Sequence, residues 1–120
     1  MANFYFSEDV KEKEKKIKKE TNRLKKIFAG LEPNKLKAVD ALIARAAFIT
    51  VSLQELEQEL NEKGWTETYT NGKNQEGVKK AAAAEAHISL TKNLTTIMKQ
   101  LLDLVPAEQK KSRLTEMMGG

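Results

Sequence analysis

The sequence predicts an all-α fold built on a long antiparallel helical hairpin, and three patterns in its 120 residues lead to this prediction. In two separate stretches, apolar residues recur at alternating spacings of three and four, as in the seam of a helix that packs along a partner helix. The first seam comprises Val39, Leu42, Ala46, Ile49, Leu53, Leu56 and Leu60, and the second comprises Ala83, His87, Leu90, Leu94, Ile97, Leu101 and Leu104. A glycine-containing loop joins the stretches, so the two helices can fold back on each other.

The first two helices are delimited by residues with well-known positional preferences. Ser7 is a good N-cap for a first helix that runs to Phe28. Pro33 suits the first position of a second helix, which is expected to continue to about Lys63 and to stop at Gly64. The second helix is therefore predicted to be unusually long, as in a coiled coil or a ring-forming protein.

The third helix follows a loop from Trp65 to Gly77. The loop alternates aromatic and β-branched residues and contains the turn signal Asn71-Gly72, so it can be a plain loop or include a short extended tip. The third helix is expected to begin near Glu76 and to run to Leu104, because Pro106 cannot continue it. A short C-terminal helix is predicted from residue 107 onward.

These elements divide the chain into three segments. Residues 1–31 form an N-terminal basic helical segment, residues 32–106 a helical hairpin that we expect to oligomerise, and residues 107–120 a C-terminal segment. The last segment carries Leu114 and the pair Met117-Met118. These apolar residues either offer an adaptable surface to a partner or cover the end of the hairpin.

A second apolar strip lies beside the seam of the second helix. It comprises Leu36, Ile43, Ala47, Phe48 and Val51. One hairpin partner cannot cover both the seam and this strip, so the strip is predicted to be an oligomer contact. The alanine-rich start of the third helix lets another backbone come close, from the second helix or from a neighbouring subunit. We therefore add Ala82 and Ala86 to the predicted oligomer interface.

Positive charge is concentrated near the N-terminus. The whole chain has a net charge of +4, whereas residues 10–37 alone hold 11 Lys or Arg and 4 acidic residues. A localised charge of this kind is informative about binding partners rather than about the fold.

The first helix is the main candidate for a binding surface, because its basic residues gather largely on one side. The candidate DNA contacts are Lys11, Lys15, Lys16, Lys18, Lys19, Arg23, Lys25 and Lys26. Cations held together can each meet a phosphate and displace a counterion. No aromatic residue interleaves them, which favours a duplex over stacked single strands. A merely solvated charged helix and an anionic membrane surface remain as alternatives.

Catalysis has little support in the composition. The chain has no cysteine and a single histidine, which removes most nucleophile–base pairs and the usual zinc sites. No Gly-rich phosphate loop is present. His87 is predicted to be packed and hydrogen-bonded on a helix face. We therefore expect a non-enzymatic protein that uses no cofactor and no metal.

A membrane location is not expected either. The longest apolar run is far short of the roughly 20 residues that a membrane-spanning helix needs. The N-terminal residues lack the basic and apolar regions of a signal peptide. The absence of cysteine fits a reducing cytoplasm.

Several stretches together resemble the small subunit of phage terminases. They are Leu53-Gln-Glu-Leu56, Leu60-Asn-Glu-Lys-Gly64, Tyr69-Thr-Asn71-Gly72, the alanine-rich restart, and Leu101-Leu-Asp-Leu104-Val-Pro106-Ala-Glu with the basic residues after it. The resemblance covers about residues 35–115 and consists of pattern and spacing. It implies a ring-forming, non-enzymatic protein of the host cytoplasm. Such a protein binds the packaging site on double-stranded viral DNA and recruits and regulates the large subunit, which carries the ATPase and nuclease.

Two other classes of protein fit the same residues. One is a helical interaction adaptor in which the basic helix only adds solubility. The other is a small dimeric DNA-binding regulator. A closed ring in solution would favour the terminase interpretation, and a dimer would favour the other two.

Overall fold

The chain folds into four α-helices and one two-stranded sheet within the residues that the computed structural model describes, which are 8–70, 72 and 75–119. In chain order the elements are α1 (Glu8–Ile27), α2 (Pro33–Lys63), β1 (Thr66–Thr70), β2 (Glu76–Lys80), α3 (Ala82–Asp103), one turn of 3-10 helix (Ala107–Gln109) and α4 (Lys110–Gly119). The prediction of a mostly helical fold is confirmed. The all-α class is corrected by the small antiparallel sheet. The predicted N-cap Ser7 and the turn residue Asn71 lie outside the described residues.

The predicted limits of the second helix are confirmed. Pro33 occupies the first turn of α2, which continues for 31 residues to Lys63. Gly64 ends the helix with a φ of +92°, a region that residues with a Cβ rarely adopt. Its N–H donates to the carbonyl oxygen of Leu60 at 2.8 Å. Local sequence signals are therefore sufficient to start and stop this helix.

The predicted start of the third helix near Glu76 was wrong, because α3 begins at Ala82. Residues Glu76–Lys80 instead form β2, which pairs antiparallel with β1 and places Thr66 opposite Lys80. The pairing provides hydrogen-bond partners for the backbone N–H and C=O groups of this stretch, so a helix is not needed to provide them. Gly77 and Val78 are also weak helix formers.

The main hydrophobic core draws on every helix. It comprises Leu24, Ile27, Phe28, Val39, Ile43, Ala46, Leu101, Val105 and Met117. These residues come from α1 and the turn after it, from α2, from the C-terminal end of α3 and the turn after it, and from α4. The three predicted segments therefore contribute side chains to one shared core.

The second strip of α2 is largely covered inside the chain. Ile43, Ala47 and Val51 are buried, whereas Leu36 is half-buried and Phe48 is 48% exposed. The inference that a neighbouring subunit must cover the three buried residues is therefore corrected. It failed because α1 packs along this side of α2 and places its own apolar residues there.

A second, smaller cluster lies where α2 ends and α3 begins. Leu60 packs there against Ala83 and Ala84, both of which are buried. The small side chains at the start of α3 thus allow close contact with α2, one of the two outcomes expected of them. Ala82 and Ala86, which belong to the predicted oligomer interface, are exposed.

Candidate nucleic-acid interface

The eight predicted DNA-contacting residues all lie on α1, and the packing of that helix determines which of them can reach a ligand. Leu24 and Ile27 are buried against the rest of the chain and hold α1 in place. The side chains of seven lysines are exposed. We call this set the basic surface of α1, and it comprises Lys11, Lys15, Lys16, Lys18, Lys19, Lys25 and Lys26. The helix therefore presents its positive charge from a fixed position.

Most of the basic surface of α1 is not neutralised by the protein itself. Lys15 lies 3.6 Å from Glu12, and both side chains are well exposed to solvent. An exposed pair of this kind contributes little energy and leaves the lysine available. Within residues 8–70, 72 and 75–119, the other six lysines of this surface form no ion pair. Their charges are therefore free to meet an external anion.

Arg23 makes structural contacts in addition to its predicted contact with DNA. Its Nε and Nη2 donate to the two carboxylate oxygens of Glu20, each at 2.8 Å. Its Nη1 and Nη2 also donate to the carbonyl oxygens of Glu116 and Met117 at 3.1 Å. The guanidinium thus joins α1 to α4, and DNA contact by this residue stays a prediction.

Lys13, which is not one of the predicted DNA contacts, anchors α1. Its Nζ lies 2.9 Å from the Oε1 of Glu55 and 4.8 Å from the centre of the Phe48 ring. These contacts tie the N-terminal half of α1 to α2. The alternation of Lys and Glu at residues 11–16 does not reveal which cation would face another helix.

A cleft with charged and polar residues in its walls lies between α1 and α2. Its volume is about 410 Å³, and Lys16, Lys19, Glu20 and Arg23 form the α1 wall. The α2 wall contributes Thr50, Val51 and Gln54. Two lysines of the basic surface of α1 therefore face uncharged polar side chains. No sequence signal pointed to Thr50 or Gln54, because an isolated Thr or Gln in a helix is usually only a solvated surface residue.

His87 takes the hydrogen-bonded position predicted for it. Its Nε2 lies 3.0 Å from the Oε2 of Glu57, which links α3 to α2. The ring also meets Trp65 edge-to-face, with 5.6 Å between the ring centroids. These contacts account for His87 as a packing residue at this end of the helix pair.

The apolar residues of the C-terminal segment divide between the two predicted roles. Met117 is buried in the main core, so it covers the helix ends. Leu114 and Met118 remain exposed on α4 and are available to a partner.

Neither a metal-binding cluster nor a membrane-spanning helix is found in the described part of the chain. No group of three or more His, Cys, Asp or Glu side chains there could hold a metal ion. None of its helices is long and apolar enough to cross a membrane.

Comparison with known proteins adds no information about the function of this chain. No protein-family model, curated protein or solved structure matches this chain.

Proposed function

We propose that this chain is the small subunit of a phage terminase, a non-enzymatic DNA-binding ring that binds the viral packaging site and recruits and regulates the large ATPase and nuclease subunit. The observation that carries the proposal is the basic surface of α1. Six of its seven lysines have no acidic partner among the described residues. The resemblance of residues 35–115 to small terminase subunits gives the proposal its specific form.

Duplex DNA is the ligand that this surface suits best. Each lysine that reaches a phosphate releases a condensed counterion, and that release drives non-specific DNA binding. Because Leu24 and Ile27 fix α1 against the core, the lysines are held on one helix before DNA arrives. Binding then requires α1 to lose less conformational freedom.

A ring would multiply this modest surface. Several copies of α1 on one assembly would bind one DNA molecule with high avidity. We propose that the α2–α3 pair acts as an antiparallel hairpin along which copies pack side by side. Phe48, Ala82 and Ala86 are the predicted contact residues that remain exposed for this role.

The large terminase subunit is the second proposed partner. The exposed Leu114 and Met118 on α4 offer a small apolar surface for it. We infer the host cytoplasm as the location from this role, since viral DNA is packaged there.

Two observations favour the alternative functions. Burial of Ile43, Ala47 and Val51 inside the chain reduces the need for many neighbours, which favours a DNA-binding dimer. Trp65, Val78 and Ile88 are exposed and line one cleft of about 360 Å³, which favours a protein-interaction adaptor.

Salt-dependent binding to duplex DNA tests the proposal. Replacing Lys18 and Lys25 with Gln should reduce the slope of log K against log salt by roughly 1.8, about 0.9 for each phosphate contact. The matched control replaces two exposed lysines of α3, Lys92 and Lys99, with Gln and removes the same charge. The control should leave the slope unchanged.

The outcomes separate the three functions. A wild-type protein that does not bind duplex DNA at low salt would rule out both the terminase and the DNA-binding regulator. Equal slope changes in the two variants would mean that net charge, and not the basic surface of α1, governs binding. The mass of the native particle then distinguishes a ring from a dimer.

A further inference from the structure

Thr50 differs from the other threonines in the described helices. The hydroxyls of Thr21, Thr91, Thr95, Thr96 and Thr115 each donate to the carbonyl oxygen four residues earlier. This local bond is the usual way for a helical threonine to satisfy its hydroxyl. Thr50 makes no such bond within the described residues, and it lines the cleft between α1 and α2. Its hydroxyl is therefore available to a ligand there.

Other donors converge on the same cleft. Gln54 lies one helical turn after Thr50, so the two side chains share a face of α2. Lys16 and Lys19 are one turn apart on α1 and form the opposite wall. The cleft thus combines two ammonium groups, a hydroxyl and an amide.

The remaining charges in the cleft cancel. Glu20 also lines it, but both of its carboxylate oxygens accept bonds from Arg23 at 2.8 Å. The pair contributes no net charge, so Lys16 and Lys19 make the cleft positive. This arrangement favours an anion over a cation.

An apolar ligand would be unfavourable in this cleft. It would displace water from the ammonium groups of Lys16 and Lys19, which line the cleft, without replacing the lost hydrogen bonds. A phosphate offers oxygen acceptors that suit both charged and neutral donors. Among the possible ligands, a phosphate therefore uses the cleft most fully.

We propose that the α1–α2 cleft is a phosphate site that binds a backbone phosphodiester of duplex DNA. Lys16 and Lys19 supply the charge, and Thr50 and Gln54 supply directed hydrogen bonds that fix where α1 sits on the duplex. The inference rests on the proposed DNA binding and adds two residues of α2 to it. Because these residues are uncharged, their contribution can be separated from that of the lysines.

The test combines Thr50→Val with Gln54→Leu, which removes two donors and no charge. The dissociation constant for duplex DNA should rise roughly a hundredfold, about tenfold for each of the two hydrogen bonds to a charged group. The slope against salt should stay unchanged, since no counterion contact is lost. Thr21→Val with Gln58→Leu is the matched control, because it makes the same chemical changes outside the cleft. It should bind as the wild type does.

Two results would overturn the phosphate site. One is a dissociation constant within about twofold of wild type for the cleft variant, and the other is an equal loss in the control. Should the cleft variant fold poorly, wild-type protein provides an independent measurement. Titration with inorganic phosphate should shift the amide NMR signals of Thr50 and Gln54 but not those of Thr21 and Gln58. Absence of these shifts up to high phosphate concentration would also overturn it.

The same titration with a free nucleotide identifies the source of the phosphate. If duplex DNA shifts the Thr50 and Gln54 signals at lower concentration than the nucleotide, the DNA backbone is the ligand. If the nucleotide shifts them and wild-type protein does not bind duplex DNA, the cleft remains a phosphate site but the proposed function fails. If duplex DNA binds without these shifts, the proposed function survives and the phosphate site does not.

Discussion

Arg23 and Glu20 form a bidentate ion pair on α1, with two nitrogen–oxygen distances of 2.8 Å. The hydrogen bond to Glu20 raises the pKa of Arg23, and the effect exceeds the opposite influence of partial burial. The guanidinium carries its positive charge, as arginine does in proteins generally. Its other donors reach the carbonyl oxygens of Glu116 and Met117, 93 and 94 residues away in the sequence. Arg23 is thus a structural link between α1 and α4.

Arg23→Lys should separate this structural role from DNA contact. Lysine keeps the charge but lacks the planar fork that serves Glu20 and two carbonyl oxygens at once. The free energy of unfolding should fall by about 1–3 kcal/mol, measured by urea denaturation, while duplex affinity and its salt dependence stay unchanged. Glu14→Gln, at an exposed position of the same helix, should not alter stability. Wild-type stability combined with weaker DNA binding would instead place Arg23 in the DNA interface.

Ile43→Ala tests whether the second strip of α2 belongs to the chain's own core. Ile43 is fully buried in the cluster that joins α1, α2 and α3, so its truncation should lower the free energy of unfolding by about 2–5 kcal/mol. The loss should be the same at all protein concentrations, because the contacts lie within one chain. Stability of a subunit interface would instead depend on concentration. Denaturation curves at two widely separated concentrations distinguish the two cases.

Helix limits were largely predictable because the signals are local. Pro33 and Gly64 act through their own backbone preferences, so they delimit α2 whatever surrounds it. The start of α3 was not predictable in the same way. It depends on the pairing of Glu76–Lys80 with Thr66–Thr70, a tertiary choice that overrides the local pattern.

The apolar face of a helix was easier to predict than the element that packs against it or the role of each charged residue. Periodicity identified the strip containing Ile43 but could not show that α1 covers it. The charge of the α1 lysines was predictable, since helical spacing alone groups them. The link from Arg23 to α4 and the unbonded hydroxyl of Thr50 both depend on how the helices pack. Neither feature can be recognised from the spacing of residues in the sequence.

Gly64→Ala should weaken the junction between α2 and β1. The φ of +92° at this residue is strained for any side chain with a Cβ, and the substitution should cost about 1–3 kcal/mol of unfolding free energy. Gly119→Ala is the matched control, because a Cβ there meets no atom within 4 Å and its φ is not in the strained region. Thermal denaturation should show a lower Tm for Gly64→Ala. The Tm of Gly119→Ala should equal that of the wild-type protein. Equal Tm values would mean that the backbone near Gly64 relaxes without cost.

Phe48 offers the most direct test of the proposed ring. It is the largest side chain of the second strip that remains exposed, and the rest of the strip is mostly covered by α1. If copies pack side by side through this strip, Phe48→Ser should lower the mass of the native particle in light scattering. The free energy of unfolding of the single chain should fall by only about 1 kcal/mol, because half of the ring is already in solvent and its contact with Lys13 is a partly exposed one. Met118→Ser, which removes a 73% exposed apolar side chain from α4, should leave the mass unchanged. A wild-type protein that is monomeric at high concentration would contradict the ring, and only the smaller DNA-binding or adaptor functions would remain.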